Sequence, residues 1–190
     1  MFRRVTHCRG FTLLEVMISL VILAIGVMGI IGLQTSTYKQ LQTSQNYSKA
    51  AMLASSMADR MLANQDQVLA GAYTHDSGDA SSTAPSPNCA SEACDAAQLA
   101  AYDVWHWQRE LLGVDPDNEN RKIPGSLPAA SGEVFRDGAT GEYLILVRWD
   151  DDLDGDVGEE CAALDPAAVQ GEDDLDCYAL NLGCLGGACP

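Results

Sequence analysis

The sequence predicts an α+β chain in which one long N-terminal helix packs on a small antiparallel sheet, with disulfides stabilising the distal part. Three observations carry this expectation. Residues 11–33 form a run of 23 with a single charge, Glu15. Apolar residues then recur at helical spacing, at Ala50, Leu53, Ala54, Met57, Ala58, Met61 and Leu62, and no proline occurs before Pro85. Further on, segments 133–136 and 142–149 flank Asp137-Gly138-Ala139-Thr140-Gly141, the pattern of a β-hairpin.

The apolar run, at about 1.5 Å per helical residue, spans roughly 35 Å and is long enough to cross a bilayer. Arg3, Arg4 and Arg9 lie ahead of it, with no acid in the first ten residues. The positive-inside rule therefore places the N-terminus in the cytoplasm and everything after Leu33 on the other side. A secretory signal peptide has a shorter apolar core followed by a small-residue cleavage site. Here the small residue, Gly10, comes first. Within the run, Gly26, Gly29 and Gly32 line up along one side and permit close approach of another backbone.

Past Leu33 the helix is expected to continue as an amphipathic segment to about Leu69, its apolar stripe forming a core face. From Gly71 to Cys94 the composition shifts to Gly, Ser, Thr, Ala and Pro, a loop pinned by a cysteine. Asp95 is a capping residue for a second helix, with Leu99, Tyr102, Trp105 or His106, Arg109 and Leu112 at helical intervals and Gly113 as its terminator. Trp105 and Trp107 are expected to be packing anchors. Residues 176–182 offer a further strand. The chain thus divides into 1–10, 11–33, 34–70 and a globular part, 71–190.

A net charge of −16 argues against direct nucleic-acid binding, which needs clustered Lys and Arg. Without the first ten residues, eight bases face 27 acids, a net charge of −19. Seven cysteines leave one unpaired, and removing Cys8 with the first ten residues makes the count even. The remaining six, Cys89, Cys94, Cys161, Cys177, Cys184 and Cys189, read as a disulfide framework formed in an oxidising compartment. Cys89 with Cys94, and Cys184 with Cys189, are close enough in sequence for local loops.

An acid inside a membrane-spanning run costs about 2.5–3.5 kcal/mol and is usually kept for a partner. Glu15 sits in Gly10-Phe11-Thr12-Leu13-Leu14-Glu15, which resembles the processing site of the type IV prepilins and related pseudopilins. The resemblance implies that a prepilin peptidase cuts after Gly10 on the cytoplasmic side and methylates the new N-terminal residue, Phe11. It also implies that Glu15 neutralises the N-terminal amine of a neighbouring subunit during assembly. The run from Val16 to Gly29 most resembles the minor pilins of the PilV type, with the pseudopilins of type II secretion as near relatives. Where major pilins commonly carry a proline, this chain has Gly32.

The fold implied is that of the type IV pilins. The implied function is that of a minor pilin at or near the pilus tip, helping to prime assembly. Two alternatives stay open, a minor pseudopilin of a type II secretion system and a tip adhesin or a dock for one. The resemblance names as partners the prepilin peptidase, other minor pilins and the major pilin, the inner-membrane assembly platform and a tip adhesin. The chain would sit in the inner membrane first and in the surface pilus afterwards.

No residue grouping points to an enzyme, and no cofactor is expected. Asp150, Asp152 and Asp154 followed by Gly155 match the first half of a calcium loop, but Cys161 stands where the bidentate Glu belongs. A solvated acidic loop is the competing reading. Asp115, Asp117 and Glu119 alternate similarly without the glycine. Asn46-Tyr47-Ser48 fits a glycosylation triplet, but on a predicted helix.

Overall fold

The computed structural model describes residues 12–76, 83–115, 118–124, 126–138, 140–150 and 177–185. Helix α1 runs over Leu13–Ala63, α2 over Gln65–Leu69 and α3 over Ala96–Leu111. The strands are β1 (Val114–Asp115), β2 (Asn118–Lys122), β3 (Ser131–Arg136), β4 (Tyr143–Arg148) and β5 (Cys177–Gly183). The chain divides into two compact units, Met1–Gln42 and Thr43–Pro190. The fold is α+β, as the sequence predicts.

In the second unit β3, β4 and β5 form an antiparallel sheet in that order, and β1 and β2 form a separate two-stranded ribbon. The central strand β4 reads Tyr-Leu-Ile-Leu-Val-Arg, apolar on both faces because both are covered. Ile145 and Val147 join the main core, whereas Leu146 packs with Cys177 and Ala179 in a smaller cluster. The core face of α1 is Ala50, Ala54, Met57, Ala58 and Met61, all predicted from spacing. Leu62, predicted with them, stays half exposed. Across the sheet, Arg148 holds Glu133 through two hydrogen bonds of 2.6 and 3.3 Å.

Helix α1 stops earlier than its periodicity predicts. Asn64 leaves helical geometry at φ −131°, and its amide nitrogen donates to the Ala96 carbonyl (2.8 Å) and to the Tyr73 hydroxyl (3.2 Å). These tertiary bonds favour a turn at that position, and the chain resumes as the short α2.

Helix α3 starts where predicted, on a reciprocal box in which the Asp95 side chain accepts from Gln98 N and the Gln98 side chain accepts from Asp95 N. Its buried face follows the predicted stripe at Trp105 and Arg109 but departs from it at both ends. Leu99 and Leu112 remain 40% and 46% exposed, whereas Ala100, Trp107 and Leu111 are buried. Trp107 determines this choice. Its indole nitrogen donates to the Leu53 carbonyl of α1 at 2.9 Å, and its ring lies against Gly132 of β3.

A polar clasp joins α1 to α3 beside that contact. The Arg60 guanidinium lies 3.4 Å from Asp103, 3.5 Å from Glu110 and 3.1 Å from His106 Nδ1. The Tyr73 hydroxyl donates to Asp103 at 2.8 Å. Burial, and then the Asp103 bond, push the Tyr73 phenol well above its ordinary value near 10. A raised folded value means that the contribution is intact below about pH 10 and is lost as pH climbs beyond it. Unfolding curves of Tyr73→Phe are therefore expected to fall less steeply above pH 10 than those of the parent chain, although the variant starts lower at neutral pH.

Gly113 ends α3 at φ +63°, and a Cβ there would stand 2.2 Å from Ser126 Oγ. Gly113→Ala is expected to cost about 1–3 kcal/mol from left-handed strain and overpacking together, measured by denaturant unfolding of the full chain in detergent.

Candidate assembly helix

The first unit presents a helix whose large apolar side chains are exposed among the described residues. Leu13, Leu14, Met17, Ile25, Met28 and Leu33 are all more than 60% exposed. Helix α1 is long and apolar enough to cross a membrane, and none of the residues in its apolar window is buried among the described residues. Gly26, Gly29 and Gly32 have open space where a Cβ would stand, leaving the backbone accessible on their side.

The helix begins with a cap written into Thr12-Leu13-Leu14-Glu15. Glu15 N donates to Thr12 Oγ1 at 3.3 Å and to the Thr12 carbonyl at 3.1 Å. Thr12 is thus the N-cap and Glu15 the third helical residue, where an acid is favoured by the helix dipole. The processing motif points to Gly10, Phe11 and Glu15, and the part of Thr12 is carried instead by the S/T-x-x-E capping signature. Further along, the hydroxyls of Ser19, Thr35 and Thr37 bond to helix carbonyls at 2.7–2.9 Å, which leaves few free polar groups in the run.

Of the predicted cleavage pair, Gly10 and Phe11 lie outside the described residues. Cys89 and Cys94 are bonded to each other, with their Cα atoms 5.5 Å apart, and Cys177 and Cys184 are also in disulfide form. Cys161 and Cys189 lie outside the described residues, as do Asp152 and Asp154 of the acidic run. Asp150 is buried, and its N–H donates to the Pro128 carbonyl at 3.1 Å. Among the described residues no group of three or more His, Cys, Asp or Glu side chains is placed to hold a metal. Asp115, from the weaker acidic alternation, is ion-paired to Arg121 at 2.7 Å. Asn46 is 4% exposed on α1, so its glycosylation triplet is closed to an enzyme.

Two family models match consecutive stretches of the chain. The prokaryotic N-terminal methylation motif covers residues 6–31, and type IV pilin Tt1218 covers residues 32–105. No curated protein and no solved structure gives a match.

Proposed function

Since this chain belongs to the type IV pilin family, we propose that it is a minor pilin, placed at or near the tip of a pilus and helping other minor pilins to prime its assembly. The family indicates a structural subunit that is processed as a prepilin, anchored in a membrane and assembled with other pilus components. The observation that supports the finer reading is the exposed apolar helix with Glu15 in its first turn, taken together with the resemblance of its Val16–Gly29 run to the minor pilins of the PilV type.

In this reading a prepilin peptidase removes residues 1–10 and methylates Phe11. Residues 11–33 hold the subunit in the inner membrane with its N-terminus cytoplasmic, and the remainder folds on the oxidising side, where its disulfides form. During assembly Glu15 meets the amine of a neighbouring subunit. Pairing the two charges removes much of the cost of burying either one among apolar helices.

The test is a deletion strain scored for surface pili and for secreted protein in parallel. Lost pili with normal secretion fit the minor pilin; normal pili with lost secretion would replace that reading with the pseudopilin.

A further inference from the structure

The two charges nearest the ends of the apolar run are spaced to suit a membrane. After Glu15 no ionised side chain occurs until Lys39, and both lie on the one continuous helix α1. At 1.5 Å per residue they stand about 36 Å apart along its axis, against a hydrocarbon layer of about 30 Å and a full bilayer of about 40–45 Å. With Glu15 at the headgroups on one side, Lys39 therefore falls among the headgroups on the other. The approach to Lys39 is graded to match. Thr35 Oγ1 donates to the Gly32 carbonyl at 2.9 Å and Thr37 Oγ1 to the Leu33 carbonyl at 2.9 Å, so these hydroxyls are satisfied by the helix itself. Tyr38 then projects at 71% exposure, with Lys39 exposed beside it. A phenol suits the boundary between acyl chains and headgroups, and a lysine can lay its methylenes along that boundary while its ammonium reaches a phosphate.

We propose that Tyr38 and Lys39 form a headgroup anchor that binds phospholipid phosphate in the leaflet opposite the leader and fixes the depth of the helix before assembly. The anchor holds Glu15 at the cytoplasmic headgroup level. This rests on the reading of residues 11–33 as a membrane span.

The full-length chain reconstituted in anionic phosphatidylglycerol vesicles tests it, with Tyr38→Trp as a depth reporter and the parent chain as control for Trp105, Trp107 and Trp149. Resistance to alkaline extraction is scored first, because a chain washed off the vesicles refutes the membrane span itself. In an inserted chain, lipids brominated near the headgroup are expected to quench the added emission about twofold more than lipids brominated deep in the acyl chains, and Lys39→Glu is expected to remove that preference. Equal or deeper quenching of the inserted chain, or a preference unmoved by Lys39→Glu, would overturn the anchor while leaving the span intact.

Discussion

Glu15→Ala is expected to leave cutting after Gly10 intact while the amount of chain recovered in sheared filaments falls by about two to four orders of magnitude, since stranding one member of a buried ion pair costs about 3–5 kcal/mol. The argument starts from the acid's position. Glu15 is the one charge in 23 residues, it lies in the first helical turn capped by Thr12, and its apolar neighbours are exposed among the described residues. At the headgroup level an acid is solvated, so its removal changes little before assembly and is felt when the helix is buried among others. Glu15→Gln keeps the shape without the charge and is expected to behave like the alanine variant. Immunoblots of membrane and sheared fractions, normalised to total chain, make the comparison.

Trp107→Ala is expected to destabilise the distal unit by about 3–5 kcal/mol, a large share of the 5–15 kcal/mol typical of a domain. The indole is fully buried and does two things at once. It fills the space between α3, α1 and β3, and its N–H donates to the Leu53 carbonyl. Gly132 offers the reciprocal test. A Cβ there would lie 2.4 Å from the Trp107 ring and 2.5 Å from Leu111 Cδ1, so Gly132→Ala must displace the same ring and is expected to destabilise in the same direction. Leu99→Ala, on the exposed side of α3, serves as a near-neutral control. Denaturant unfolding followed by near-ultraviolet circular dichroism reports all three.

The parts of the fold legible in the sequence are those fixed by neighbours along the chain. The α1 core stripe, the Asp95 cap, the β3–β4 hairpin and the strand at β5 all follow from local spacing and turn chemistry. The Cys89–Cys94 loop, expected from closeness in sequence, is closed by a disulfide. What stayed hidden depends on distant partners. Nothing near Asn64 announces a helix break, because its amide is satisfied by Ala96 and Tyr73. Arg60 meets Asp103 across 43 residues of sequence, and the side of α3 that turns inward is chosen by where Gly132 leaves room for an indole. The β1–β2 ribbon escaped because Asn118-Glu119-Asn120-Arg121-Lys122 has no apolar alternation to reveal a strand. At the candidate site Glu15 is legible as an anomaly of charge, whereas Thr12 is legible only through the S/T-x-x-E capping signature.

The most direct measurement of the central claim is intact-mass spectrometry of this chain recovered from purified, sheared pili, quantified against the principal subunit. The account predicts a chain that begins at a methylated Phe11 and is present at a small fraction of the principal subunit. A chain absent from the pili, or one present there that still begins at Met1, would contradict it.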